Sequence, residues 1–243
     1  MNSAREVHFS LKERIEFTTK WFLIHLVDTY METYQQPGGE EPSFYRLGHK
    51  AAKNIFWNDR MESIVEARSL LPQRMDTYIK DGKGYRKESI IFERDRGIAR
   101  FLRQDRESGQ TLEEEVGITP NSMDPLCAFF NLRKRLSPNN PSLELEGTTG
   151  SRRFTLEGKL MGEEQINVPA GSFETYRYKC ILQYWSERAN GRKNGKKIEK
   201  RENNPFTLWV SQDDHRFPVQ IIYNLPLGNL HVRATSVRHY DPV

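Results

Sequence analysis

Apolar and polar residues alternate with a period of two along most of this chain, and short turn sequences separate the alternating runs. In residues 173–187, for example, Tyr176, Tyr178, Cys180, Leu182 and Tyr184 share one parity, and mainly polar residues fill the other. Side chains on a strand point alternately to the two faces of a sheet, so this pattern predicts strands with one buried face. We therefore predict a mostly β protein, with a single large antiparallel sheet curved into an open or closed barrel-like shell.

The turn sequences predict where the strands begin and end. Residues 13–32 are apolar on both parities at their middle, which fits one long central strand or a hairpin pair. The turn Asp81-Gly82-Lys83-Gly84 predicts a hairpin between 75–79 and 85–93. Residues 61–67 fit a strand better than a helix, although their apolar spacing also approaches the helical period. The remaining predicted strands span 44–52, 98–103, 153–161, 165–168, 173–187, 205–210, 217–223 and 230–237, and the polar residues 104–117 are predicted to be an exposed loop.

One segment, 123–136, predicts a helix. Asn121 or Ser122 can cap its start, and Pro125 suits its first turn. Its apolar stripe consists of Leu126, Phe129, Phe130 and Leu136, and its last turn carries Arg133, Lys134 and Arg135, where cations complement the helix dipole. We expect this helix to plug the shell or to cover one side of the sheet.

Length and charge narrow the class of protein. All-β chains of 243 residues often form one domain, so we predict a single β-rich domain over residues 1–243. A net charge of +4 is small for a dedicated nucleic-acid binder, and we expect no nucleic-acid partner. Because no apolar run approaches the roughly 20 residues of a membrane-spanning helix, membrane association is predicted to be peripheral at most. The first residues show no signal-peptide pattern.

The sequence shows no recognisable catalytic or metal-binding motif. Its six histidines form no His-Glu-x-x-His pattern, and no Gly-x-Ser-x-Gly elbow is present. Cys127 and Cys180 are predicted to be buried thiols. Residues 213–215 (Asp-Asp-His) could contribute to a metal or acid–base site, but polar residues between strands usually form a solvated turn. We predict no metal, no cofactor and no enzymatic activity.

Two groups of residues are predicted binding sites. The first is an apolar cavity between helix and sheet, for which the alternative is a filled core; its predicted lining is Trp21, Phe22, Trp57, Tyr184 and Trp209. The second is a basic patch in residues 188–201 that could meet the phosphates of lipid or lipopolysaccharide, for which the alternative is a solvated hairpin tip; it includes Arg192, Lys193, Lys196 and Lys197.

Three further segments, with Trp21 and the Arg216-Phe217-Pro218-Val219 sequence, resemble a known family. They are residues 124–133 (DPLCAFFNLR), 168–174 (VPAGSFE) and 208–214 (LWVSQDD). Over about residues 12–234 the chain resembles the bacterial family called domain of unknown function 3108. The resemblance implies an exported β-rich protein of the periplasm or cell envelope, with no established activity and therefore no catalytic residues to transfer.

The leading hypothesis from the sequence is a non-catalytic envelope protein that binds a lipid, lipoprotein or glycan. The runner-up is a structural module whose edge strands or helix bind another envelope protein. An enzyme with a nonstandard site is the least favoured class.

Overall fold

The computed structural model describes residues 12–22, 24–35, 44–51, 59–81, 84–187 and 199–239. They form one antiparallel sheet of 14 strands and one α-helix. The elements are β1 (Lys12–Trp21), β2 (Ile24–Gln35), β3 (Phe44–Ala51), β4 (Arg60–Glu66), β5 (Pro72–Asp81), β6 (Gly84–Glu93), β7 (Ile98–Asp105), β8 (Thr111–Gly117), α1 (Pro125–Arg135), β9 (Ser142–Thr148), β10 (Arg153–Val168), β11 (Gly171–Glu187), β12 (Glu199–Ser211), β13 (Pro218–Leu225) and β14 (Gly228–His239).

Apart from β8 and β9, strands that are consecutive in sequence are neighbours in the sheet, and the first strand, β1, also pairs with the last, β14. Its strands follow the order β8-β7-β6-β5-β4-β3-β2-β1-β14-β13-β12-β11-β10-β9. Each neighbouring pair is consecutive in sequence except β1 and β14, which pair antiparallel from Glu13 with His239 to Trp21 with Leu230. Within the described residues no ladder joins β8 to β9. The predicted antiparallel shell is therefore confirmed, and it is the open form.

Most predicted strands are present, with three differences. The first is that residues 153–161 and 165–168, predicted as two strands, form one continuous strand, β10. Residues 13–32 are the hairpin pair β1 and β2, and residues 61–67 are mostly in strand β4. The exposed loop predicted for 104–117 was wrong, because β7 ends at Asp105 and Thr111–Gly117 form β8 at the sheet edge. Nearly all side chains of β8 are exposed, so it lacks the apolar parity that marks the other strands. Strand β9 was not predicted.

Helix α1 is enclosed by the shell. It starts one residue after Asp124, whose side chain accepts a hydrogen bond from the Cys127 N–H at 2.8 Å. Asp124 is therefore the N-cap, in place of the predicted Asn121 or Ser122. The helix packs against β9 on one side and against β3 and β4 on another. Its buried residues form two runs too long for one helical face, Leu126 to Ala128 and Phe130 to Lys134.

The interior of the shell is filled by this helix and by inward side chains of the strands. The largest apolar cluster surrounds α1 and includes Phe130, Leu132, Phe154 and Tyr178, each almost fully buried. Two smaller clusters lie around Phe17 and around Phe101. In the part of the chain that the structure describes, no helix has the length and apolar character needed to cross a bilayer.

Candidate ligand-binding site

Two of the five aromatic residues predicted to line a cavity lie next to each other at one hairpin. Trp21 ends β1 and is half-buried, and Phe22 follows it with its ring centroid 5.6 Å away. Phe22 is 63% exposed, so it covers no interior space. Tyr184 packs edge to face on Phe154 at the margin of the main core, with the ring centroids 6.4 Å apart. Trp57 lies outside the described residues.

Trp209 lies on the opposite face of the sheet from its neighbours Leu208 and Val210, which belong to the main core. Its indole Nε1 donates to Glu164 Oε1 at 2.7 Å. The four described residues thus do not line one common apolar cavity, because strand alternation sends Trp209 outward and a turn exposes Phe22. As a ligand site the aromatic set stays a prediction.

The basic patch of Arg192, Lys193, Lys196 and Lys197 lies outside the described residues. The polar residues 213–215 form a turn, in which Asp213 Oδ1 accepts hydrogen bonds from the Ser211 hydroxyl and from the His215 N–H. Within the described residues no group of three or more His, Cys, Asp or Glu side chains could hold a metal ion.

The last turn of α1 carries two buried cations. Arg133 is fully buried and donates to the carboxylate of Glu13 on β1. The neighbouring Lys134 donates to the His215 carbonyl oxygen at 2.9 Å. Burial, with the nearby Arg133 charge, lowers the pKa of the Lys134 ammonium to about 8. These two cations tie the end of α1 to β1 and to the β12–β13 turn, whereas Arg135 points to solvent.

Both cysteines are free and buried, as predicted. Burial raises the pKa of the Cys180 thiol to about 12 and raises that of Cys127 well above its ordinary value. The Cys127 thiol also donates to the Leu70 carbonyl oxygen at 3.1 Å. Because the thiolate is the reactive form, these protonated thiols are poor nucleophiles at neutral pH.

An open cavity of about 290 Å³ lies where the two free edges of the sheet approach each other. We call it the seam pocket. Strand β8 and the segment after it form one wall, and β9 with the start of β10 forms the other. Its lining residues are Val116, Gly117, Ile118, Thr119, Ser122, Glu146, Gly147, Thr148, Ser151, Arg152, Arg153, Phe154 and Thr155.

The segment 118–124 crosses the seam and pairs with β9. The Met123 N–H donates to the Glu146 carbonyl oxygen at 3.0 Å, and the Thr148 N–H donates to the Met123 carbonyl oxygen at 2.9 Å. This close approach requires glycine at 147, since a Cβ there would stand 2.1 Å from the Met123 oxygen. The crossing segment therefore bridges the gap between the edges with backbone bonds.

Arg94, just after β6, holds the same segment from the other side. Its guanidinium donates to the carbonyl oxygens of Pro120 at 2.8 Å and Ser122 at 3.0 Å, and also to that of Pro72 at 2.9 Å. Asp124, at the end of the segment, accepts from the Ser63 hydroxyl at 2.6 Å. One wall of the seam pocket is thus fixed in place by hydrogen bonds, all of them buried or half-buried except the exposed one to Pro120.

The lining of the seam pocket is rich in hydroxyl groups and carries two guanidinium groups. Arg153 Nη2 lies 3.2 Å from the position that a Cβ on Gly117 would take, so this side chain reaches from β10 across the seam to β8. Glu146 supplies one carboxylate, which accepts from the Thr119 hydroxyl. Guanidinium and hydroxyl groups are the usual partners of phosphates, carboxylates and sugar hydroxyls. Among the lining residues none is His, Cys or Asp.

Sequence reasoning missed the seam pocket because no motif marks it. Its residues come from two segments, 116–122 and 146–155, which the curvature of the open sheet brings near each other. The nearest signal was the cluster of small residues Gly147, Thr148, Thr149, Gly150 and Ser151, which permits the close approach of the crossing segment.

Comparisons with known proteins support the family resemblance and the fold. The family model described as protein of unknown function, DUF3108, matches residues 16–235. No curated protein matches the chain. A beta-barrel-like protein of domain of unknown function DUF1849 from Brucella abortus has a similar structure, with a TM-score of 0.57 at 7% identity over 96% of this chain and 99% of that one.

Two other solved structures show weaker similarity. A candidate lipoprotein from Parabacteroides distasonis has a TM-score of 0.38 at 10% identity, over 95% of this chain and 97% of its own. MucB, solved in complex with MucA(peri), has a TM-score of 0.17 at 8% identity, over 96% of this chain and 94% of that one. These two scores are too low to indicate a shared fold, so the barrel-like protein from Brucella abortus is the neighbour that supports the architecture.

Proposed function

This chain belongs to the DUF3108 family of proteins of unknown function, and we propose that it is a non-catalytic ligand-binding protein of the bacterial cell envelope. The exported character implied by the family resemblance supports the envelope location. The described lining of the seam pocket holds one carboxylate, that of Glu146, and no second acid or base of the His, Cys or Asp type to act with it, which favours binding over acid–base or nucleophilic chemistry there.

The seam pocket is the observation that carries this proposal. A volume of about 290 Å³ accommodates a headgroup or one or two sugar units, and it is too small for the acyl chains of a lipid. The core around α1 is filled by packed side chains, so the helix occupies the space where a carrier would hold such chains. The ligand that fits is therefore the phosphate-bearing or sugar part of an envelope lipid or glycan.

Arg153 is the residue we expect to contribute most to binding. It is exposed, and its guanidinium lies across the mouth of the seam beside Gly117. A guanidinium can form two parallel hydrogen bonds to a phosphate, and the neighbouring hydroxyls of Ser151 and Thr155 can donate to further oxygens. Glu146, on the adjacent strand β9 of the same wall, can accept hydrogen bonds from sugar hydroxyls.

Protein purified gently from its own envelope fraction provides the first test. We expect mass spectrometry of an organic and an aqueous extract to show a phosphorylated or glycosylated molecule in stoichiometric amount. Well-folded protein whose two extracts are both empty, and which binds neither lipopolysaccharide nor phosphatidylglycerol nor cell-wall oligosaccharides in calorimetry, would exclude this function.

Substitution of Arg153 locates the site. Hydrogen bonds to a charged group contribute roughly 1.5–3 kcal/mol, so Arg153→Gln should weaken binding of the identified molecule by about tenfold or more. The control is Arg238→Gln, which removes an exposed guanidinium from β14, in the middle of the sheet. Equal loss of affinity in both variants would indicate a nonspecific charge effect and would remove the seam pocket as the site.

The free edge of β8 favours a second candidate, a module that binds another envelope protein by strand addition. Within the described residues no strand pairs with the outer side of β8. Residues 113–115 are three glutamates, which discourage pairing between identical edges and would favour a basic strand. Crosslinking in envelope fractions, with Glu114→Lys expected to abolish the crosslink, tests this candidate. Helix α1 is buried and offers no such surface.

A further inference from the structure

Two neighbouring hairpins end in exposed apolar side chains. The β1–β2 and β13–β14 hairpins are adjacent because β1 pairs with β14, up to Trp21 opposite Leu230. Eight large apolar or aromatic side chains are exposed among the described residues, and five of them lie at the turn ends of these two hairpins, whereas Tyr34 lies at the far end of β2. We call these five the apolar cap: Phe22 (63% exposed), Ile24 (60%), Leu26 (39%), Leu225 (46%) and Leu227 (74%).

The two hairpins touch, so the cap forms one surface. The Phe22 ring lies over Gly228, where a Cβ would stand 2.4 Å from the ring carbon Cζ. Gly228 has a φ of 112°, which favours glycine, and the missing side chain leaves room for the ring. The Trp21 ring also contacts Phe22, with the ring centroids 5.6 Å apart.

The backbone at Phe22 is strained to present this ring. Its φ is 53°, in the left-handed region that aromatic residues rarely adopt. Turns that need a positive φ normally use Gly, Asn or Asp, which are also polar or small. A strained backbone that presents a mostly exposed aromatic ring indicates a role in binding, because the ring stabilises little in the isolated protein.

One exposed cation next to the cap, Lys20, indicates the chemistry of its partner. Lys20 is exposed directly before Trp21, and His25 follows Ile24. The acidic side chain at these strand ends, Asp28, accepts from His25 Nε2 at 2.8 Å. In an anionic bilayer the acyl chains lie below a layer of phosphates. Apolar side chains at the end of a hairpin can enter the acyl region while the cation just behind them contacts the phosphates.

We propose that the apolar cap inserts into the interfacial region of an anionic lipid bilayer and holds this end of the shell against the membrane. The proposal rests on the proposed envelope location of the protein. It does not rest on ligand binding in the seam pocket, because the cap and the pocket share no residue. Two convex hairpin tips suit a fluid lipid surface, which needs no complementary groove.

Cosedimentation with lipid vesicles tests the proposal on the full chain. Vesicles of phosphatidylglycerol and phosphatidylethanolamine in equal parts should carry the protein down, and pure phosphatidylcholine vesicles should carry down much less. Burying one large apolar side chain changes an equilibrium constant by roughly ten- to a hundredfold. Phe22→Asn combined with Leu227→Ser should therefore reduce vesicle binding at least about tenfold. The matched control, Leu112→Ser with Met161→Ser, removes exposed apolar side chains from β8 and β10 and should leave binding unchanged.

Thermal unfolding distinguishes membrane contact from a structural role. Asn tolerates a positive φ better than Phe, so Phe22→Asn alone should leave the melting temperature equal or higher while vesicle binding falls. A lower melting temperature with unchanged vesicle binding would overturn the proposal, as would a wild-type protein that does not bind anionic vesicles. Loss of self-association, without loss of vesicle binding, would assign the cap to contact between copies and would also refute it. Phe22→Asn combined with Leu227→Ser leaves every residue of the seam pocket in place and should bind the soluble extracted molecule as wild type does, which separates failure of the cap from failure of the seam pocket.

Discussion

Asp124 should make the stability of this protein fall as pH rises, and Asp124→Asn should remove that dependence. The carboxyl group is fully buried, where it accepts from the Ser63 hydroxyl and the Cys127 N–H. Burial raises its pKa from 3.8 to about 6, although these hydrogen bonds and the Arg94 charge act in the opposite direction. The neutral acid is thus favoured in the folded protein.

The sign and the size of this pH dependence follow from the pKa of Asp124 in the unfolded chain, 3.8, and in the folded protein, about 6. Between about 3.8 and 6 the folded protein keeps the proton that the unfolded chain releases, so the stabilisation present at low pH is lost as pH rises through the folded pKa. A difference of about two units corresponds to about 3 kcal/mol in total. About 1 kcal/mol of this is lost between about pH 5 and pH 8, which is the range open to experiment.

Urea unfolding of wild type and Asp124→Asn at several pH values measures this effect. Asn caps helices as well as Asp, so the variant keeps α1. Its free energy of unfolding relative to wild type should rise by about 1 kcal/mol from about pH 5 to pH 8. Asp95→Asn, an exposed carboxylate in the turn after β6, controls for loss of a charge. If the difference between wild type and Asp124→Asn stays constant over this range, the reasoning about burial is refuted.

Two further predictions concern the buried ion pair and the seam. Arg133→Met should lower the free energy of unfolding by about 3–5 kcal/mol, because Glu13 stays buried without its partner, and adding Glu13→Gln should recover much of the loss in urea titrations. No recovery would contradict the pairing. Gly147→Ala should cost about 2 kcal/mol or more, because its Cβ would meet the Met123 carbonyl oxygen, whereas Gly117→Ala meets only a flexible side-chain end and should change stability by less than about 0.5 kcal/mol. Similar melting temperatures for both variants would show that the crossing segment adapts.

Strand periodicity predicted most of the sheet because most strands bury one face. Residues 173–187 show this clearly, and β11 covers them. Strand β8 escaped prediction because its edge position leaves both faces in water, which removes the apolar parity. Helix α1 was predicted from one apolar stripe, but the structure buries it on several sides. Arg133 and Lys134 therefore find their partners, Glu13 and the His215 carbonyl oxygen, inside the shell, although the sequence pattern indicates that this end of the helix faces solvent.

The binding surfaces were harder to predict than the fold. Trp209 has the residue type of a cavity wall, but its parity relative to Leu208 and Val210 places it on the other face. The seam pocket depends on two edges separated by α1 in the sequence, which no local pattern relates. The apolar cap combines two turns that become neighbours only through the pairing of β1 with β14.

That pairing also determines how the chain can be assembled. Every other ladder joins strands that follow each other in sequence, so the halves β1–β8 and β9–β14 can each form from local hairpins. The β1–β14 ladder joins residues 13–21 to residues 230–239, so it requires the closure of a very long loop and should be the slowest ladder to form. Since Glu13 stands opposite His239 in this ladder, a short linker there would join the two strands as one more hairpin. A chain linked in this way and opened between α1 and β9 would be a simple meander from first strand to last, with the helix at its end and no long-range ladder left to close.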